Sequence, residues 1–161
     1  MPIVTTIEGR IAQVAIDRPE KRNTLSSELC KDLAREFLEL NDDTRVRSIV
    51  LCGHNNVFCA GLDIEEQLAE NTPIFNEFQK VIDALDALSK PVVAAVSGPA
   101  VSQGAAMLYH CDLVFAGEHA LFSMPGLALG QTPRYGVSLL AVKSGGHKLA
   151  APKLLLFQPI S

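Results

Sequence analysis

The stretch from Pro91 to Met107, PVVAAVSGPAVSQGAAM, leaves few folds open to this chain. Val92 to Val96 is an unbroken run of small apolar residues with valines at both ends, which predicts a strand buried on both faces. Ser97-Gly98-Pro99 predicts the end of that strand, because glycine takes unusual backbone angles and proline cannot donate to a ladder. Ala100, Ser102, Gly104, Ala105 and Ala106 then predict the first turns of a tightly packed helix. A strand feeding a helix start presents backbone N–H groups and partial positive charge to whatever lies in front of it. That suits an anion or a developing oxyanion. Taken alone, the stretch is a strand–helix junction of an α/β core.

A second junction lies upstream. Ile49-Val50-Leu51-Cys52 is an apolar strand pattern, and VFCAGLDI, Val57 to Ile64, follows it after the turn cluster Gly53-His54-Asn55-Asn56. Two junctions of this kind can aim two backbone donors at one point. Around them, Ile3–Glu8 and Ile11–Asp17 predict a hairpin about Gly9. A polar loop follows with Arg18, Lys21 and Arg22. Ser26 or Ser27 can cap a helix whose Leu29, Leu33, Phe37 and Leu40 recur at helical spacing. Thr72-Pro73 opens another helix, with Ile74, Phe78, Val81, Ile82, Leu85 and Leu88 on one stripe. It joins two buried strands, so a right-handed crossover is expected. Leu113–Ala116 and Ala120–Ser123 predict short strands, Met124–Gly136 a loop, and Val137–Val142 and Leu149–Phe157 helices. Pro152 falls inside the last of these, where an interior proline costs ~3 kcal/mol or more.

A chain of 161 residues, 48% of them hydrophobic, can bury one core, so a single domain over 1–161 is expected. A net charge of −4 and a pI near 5.5 argue against a general nucleic-acid binder. Cys30, Cys52, Cys59 and Cys111 form no CxxC pair and read as free thiols of a reducing compartment. No leader pattern and no segment long enough to span a bilayer is visible, so a cytoplasmic protein without membrane or nucleic-acid partners is expected. His54, His119 and His147 show no metal-ligand spacing, and no metal is expected.

In order, the segments RPEKRNTL, VFCAGLDI, GPAVSQGAAM and CDLVFAGEHALFSMP resemble the crotonase superfamily, the enoyl-CoA hydratases and isomerases. The resemblance implies an α/β, crotonase-like spiral of ββα units. It implies acyl-CoA or enoyl-CoA as the partner, with coenzyme A as part of the substrate and no separate cofactor. It also implies an enolate held by two backbone N–H groups, matched here at Leu62 and Gln103. Lys21, Arg22 and Thr24 fall in the loop that meets the CoA nucleotide, and Ala60, Asp63 and Ile64 at positions near its adenine. The chain ends at FQPIS, where relatives continue into a C-terminal helical region; with that region, a homotrimer or dimer of trimers is implied.

The resemblance fails at the proton carriers. Hydratases of the family use two glutamates, whose positions hold Ala106 and Gly126, and isomerases often use one later glutamate, whose position holds Arg134. Neither alanine nor glycine moves a proton, and an arginine stays protonated at neutral pH. His110, four residues after Ala106, is the substitute candidate, with a packed or capping role as its plainer reading. Tyr135, Glu65 and Glu66 are further candidates, and Arg134 suits an acidic acyl tail. Three readings stay open: an atypical enzyme in which isomerisation is easier than hydration, a non-catalytic acyl-CoA binder, and a structural subunit of a mixed oligomer.

Overall fold

The computed structural model describes residues 2–156, 159 and 160. Strands β1 (Ile3–Glu8) and β2 (Ile11–Ile16) form the antiparallel hairpin, and α1 (Ser27–Asp42) follows. Ser26 caps α1 by accepting a hydrogen bond from the Leu29 N–H at 3.2 Å, and Leu29, Leu33, Phe37 and Leu40 face inward. Then come β3 (Ser48–Gly53), the short α2 (Ile64–Gln67), α3 (Ile74–Asp86), β4 (Val92–Val96) and β5 (Pro99–Val101). The rest is α4 (Gln103–Leu108), β6 (Leu113–Ala116), β7 (Leu121–Ser123), a 3₁₀ turn at Pro125–Leu129, α5 (Val137–Gly145) and α6 (His147–Leu155). Phe157, included in the last predicted helix, lies outside the described residues.

The main sheet runs β1-β2-β3-β4-β6, parallel from β2 onward. A second, slighter ladder accompanies it: Leu25 bridges Leu62, Cys59 bridges Ala100, and β5 pairs with β7. Each turn of chain thus gives one strand to the main sheet, one short extended piece to the second ladder, and then a helix. Four such turns make the spiral. Their stacking brings the residues that follow β3 beside those that follow β4.

Two expectations change. Among the described residues the central strand is well covered on one face, where α1 and α3 pack against each other and share its core. Val92, Ala94 and Val96 point into that core, whereas Val93 and Ala95 are half-buried. On the other face the cross-strand row Gln13, Val50, Val93, Leu113 ends in a leucine that is 56% exposed. Valine content signals burial without saying from how many sides. The strand break at Pro99 is also brief: Pro99 starts β5, a position where a missing N–H costs a ladder nothing, and its carbonyl accepts from the Phe58 and Cys59 N–H groups. Helix α6 runs through Pro152, whose carbonyl accepts from the Leu156 N–H.

Close approach of backbone fixes the junctions. A Cβ on Gly104 would overlap the Cys59 carbonyl oxygen and stand 2.8 Å from the Cys59 Cβ. One on Gly98 would overlap the Asn56 carbonyl. Only glycine permits these contacts.

Candidate active site

The site is built where the two junctions meet. Gly61, at φ +99, lies so near the second junction that a Cβ there would be 3.2 Å from the Ser102 Cβ and 3.4 Å from Gln103 Oε1. Leu62 is buried between Leu25 and its own loop, which is pinned by the Leu25 N–H on the Gly61 carbonyl and the Asp63 N–H on the Leu25 carbonyl. The N–H groups of Leu62 and Gln103 have no acceptor among the described residues. Helix α4 has only six residues, so its macrodipole adds little at these N–H groups.

Ser102 sits at φ 54, ψ −117, a conformation in which side chains are rare. Its hydroxyl donates to Gln103 Oε1 at 2.7 Å. Strain of this kind costs about 1–3 kcal/mol. Against it stand the unfolded-state entropy of glycine, about 0.4–1 kcal/mol, and one part-buried hydrogen bond worth about 0.5–1.5 kcal/mol. Ser102→Gly is therefore expected to stabilise the protein by about 0.5–1 kcal/mol, seen as a Tm about 2 °C higher. A lower Tm would show that the hydroxyl contact outweighs the strain.

In front of the junctions is a cavity lined by Gln103, Ala106, Met124, Gly126, Arg134 and Tyr135, with Phe75, Leu127 and Val137 among its apolar walls. All three positions at which the sequence lacks a carboxylate, Ala106, Gly126 and Arg134, thus face one space. Among the described residues no Asp, Glu, His or Lys lines it. Leu62 is not among its lining residues.

His110 is held away from that space. Its Nδ1 is 2.7 Å from Asp86 Oδ1 and its Nε2 donates to the Tyr135 carbonyl at 2.9 Å. Both nitrogens are engaged with acceptors, so the ring ties α4 to α3 and to the 131–136 loop. Tyr135 packs edge-on against Phe78, centroids 4.8 Å apart, and its hydroxyl donates to the Phe75 carbonyl at 3.4 Å. Burial pushes its phenol up to about 12, with Arg134 pulling the other way, so it holds its proton at neutral pH.

The basic loop divides in two. Arg18 turns inward, to Asp63 Oδ2 at 3.1 Å and the Thr24 carbonyl at 3.1 Å. Asp63, which also accepts from the Glu65 N–H, fastens its own loop. Lys21 reaches Glu65 at 2.8 Å, a contact that raises its pKa. Arg22 is exposed at φ 52, in no salt bridge among the described residues. The Thr24 hydroxyl is buried without a partner among the described residues. Ala60 donates its N–H to the Arg22 carbonyl, and Ile64 is 57% exposed. Glu66 accepts from the Ser27 N–H and hydroxyl, joining α2 to α1.

Two residues were missed from sequence. Fully buried Asn23 accepts from the Arg18 N–H at 2.8 Å and donates to the His54 and Val57 carbonyls at 3.0 and 2.7 Å. It thereby knots the basic loop to the first junction. Asparagine after two cations in a turn was a usable signal, since it tolerates the φ of 56 found here. Cys59 is the other: its sulfur accepts from the Gly61 N–H at 3.4 Å, and burial pushes its thiol up to about 12, against that N–H. Among the described residues no group of three His, Cys, Asp or Glu side chains could hold a metal, and no helix is long and apolar enough to cross a membrane.

Comparison with known proteins agrees with the geometry. A family model for enoyl-CoA hydratase/isomerase matches residues 6–161. The chain is 35% identical over 139 residues to the short-chain-enoyl-CoA hydratase of Clostridium acetobutylicum, covering 83% of this chain and 53% of that protein. It is 30% identical over 161 residues to the 2,3-dehydroadipyl-CoA hydratase of Escherichia coli, covering 99% and 63%. The crystal structure of an enoyl-CoA hydratase/isomerase from Pseudoalteromonas atlantica superposes with a TM-score of 0.93 at 31% identity, over 100% of this chain and 64% of that one. The chain therefore spans between half and two thirds of the length of these relatives.

Proposed function

The chain belongs to the enoyl-CoA hydratase/isomerase family, and from that premise we propose that it binds an acyl-CoA thioester and polarises its carbonyl between the N–H groups of Leu62 and Gln103. The observation that carries the reading is the pair of N–H groups without an acceptor among the described residues, on two junctions in contact beside a largely apolar cavity. Two donors aimed at one oxygen stabilise the enolate left when a proton leaves the adjacent carbon; a single such donor is worth about 3–4 kcal/mol. Lys21 and Arg22 face the CoA phosphates, with Lys21 exchanging Glu65 for phosphate oxygens. Of the reactions open to an enolate, a double-bond shift needs one proton shuttle, and water addition needs a base and an acid. The shift asks for fewer proton carriers, so it is the easier of the two for a site without the family's carboxylates.

A second reading has its own support. Among the described residues no carboxylate, imidazole or amine lines the cavity, as suits a member that binds thioesters without turnover. Proton NMR of butyryl-CoA in deuterated water separates the two. Wash-out of the C2 hydrogens is expected if the enolate forms. Binding without wash-out leaves the binder, and no binding ends both readings.

The nucleotide end gives a further expectation. Lys21→Glu with Arg22→Glu should weaken CoA binding about tenfold at low salt, and by less at about 0.5 M salt, where exposed charges are screened. Calorimetry with acetyl-CoA reads this directly. An unchanged affinity would remove the basic loop from the site.

A further inference from the structure

We infer that the acyl group taken by this cavity carries a carboxylate, read by the Arg134 guanidinium and the Gln103 amide. The inference rests on the acyl-CoA reading above. Gln103 is only 7% exposed and lines the cavity. Its Oε1 is occupied by the Ser102 hydroxyl, and its Nε2 has no partner among the described residues. That nitrogen is not sealed from solvent, so a ligand acceptor entering the cavity can meet it. Arg134 lines the same space and lies over the Phe75 ring, its central carbon 5.0 Å from the ring centroid. No carboxylate among the described residues pairs with it. Stacking of this kind fixes the guanidinium plane and leaves its N–H edges free for a bidentate acceptor.

The wall that carries Arg134 is held in place. The neighbouring Tyr135 is fixed at its carbonyl by His110, at its hydroxyl by the Phe75 carbonyl, and at its ring by Phe78. Gln131 of the same loop donates to Gln67 Oε1 at 3.1 Å. The Arg134 side chain is exposed, but the backbone on either side of it is anchored, so part of the ordering cost of the loop is met before the ligand arrives. Among the described residues the lining offers one cation, an open amide donor and no acidic side chain, which selects an acyl chain ending in an anion over one ending in a methyl group. The anion also settles the Gln103 amide with its nitrogen toward the cavity.

The test compares thioesters of equal chain length by calorimetry: succinyl-CoA with butyryl-CoA, and glutaryl-CoA with pentanoyl-CoA. The wild-type protein should bind the acid-bearing member of at least one pair about tenfold or more tightly. In Arg134→Gln that ratio should fall toward one, and Arg134→Lys should keep part of it. Gln103→Leu should lower the ratio independently. Binding of both members with equal affinity in both pairs overturns the inference and leaves the acyl-CoA reading standing. Failure of every thioester to bind overturns that reading and this one with it. Because the first comparison uses only wild-type protein, a variant that does not fold still leaves the inference decided.

Discussion

Gly104→Ala is expected to destabilise the protein by about 3 kcal/mol or more, and to abolish thioester binding in whatever fraction stays folded. The added Cβ would overlap the Cys59 carbonyl oxygen and press on the Cys59 Cβ, atoms of a buried backbone that cannot swing aside. Overpacking a core costs about 1–3 kcal/mol when side chains can adjust; here the neighbour is main chain in a bridge with Ala100. Relief requires moving α4 away from the first junction. That would part the proposed donors at Leu62 and Gln103, so stability and binding are expected to fail together. Gly117→Ala is the control: its Cβ would meet only the Ser97 Cα and the Val96 carbonyl at 3.7 Å, and a change within about 0.5 kcal/mol is expected. Urea unfolding of the two variants checks the pair. Equal midpoints would show that the junctions do not lean on each other as described.

Hydration of crotonyl-CoA should be absent, or at least about 10⁴-fold slower than in a member bearing both carboxylates. Each positioned acid or base contributes about 10²–10⁴ in rate, and here alanine and glycine stand where both would act. Ordinary turnover would mean that protons travel by groups outside the cavity lining. The sharper form restores the groups: Ala106→Glu and Gly126→Glu, with Gln103→Gly to open space. A Cβ at Gly126 meets nothing nearer than the Gln131 carbonyl at 3.5 Å, so the second change fits. Ala106 is 1% exposed and one turn beyond Gln103, so the first depends on the third. A partial gain is expected, since new side chains without supporting partners sit loosely. Ala106→Glu alone should do little, because two groups acting on one water are not additive. A folded, thioester-binding triple variant with no hydration above background would end the idea of a site lacking only its proton carriers.

The parts of this fold that sequence made legible are those governed by local periodicity. Helix α1 follows from Leu29, Leu33, Phe37 and Leu40, and its start from a serine that caps as expected. The cavity was legible through resemblance, and the positions of Ala106, Gly126 and Arg134 do converge. What stayed hidden depends on partners distant in sequence. His110 meets Asp86 and Tyr135, 24 and 25 residues away on opposite sides. Arg18 looked like Lys21 and Arg22 until Asp63 drew it inward. The uncovered sheet face was hidden for a related reason, since the side on which a helix crosses is decided by the whole spiral.

Cys59 has a bearing on what such a site can safely hold. A thioester is an acylating agent, and a thiolate beside its carbonyl would capture the acyl group and release the CoA thiol. Cys59 touches the Gly61 amide, one residue from the proposed Leu62 donor. With the thiol pushed up to about 12 by burial, the nucleophilic thiolate is scarce at neutral pH. The packing that seats this sulfur under the junction would therefore double as chemical insulation, keeping an acyl group bound as proposed from being lost to the protein that holds it.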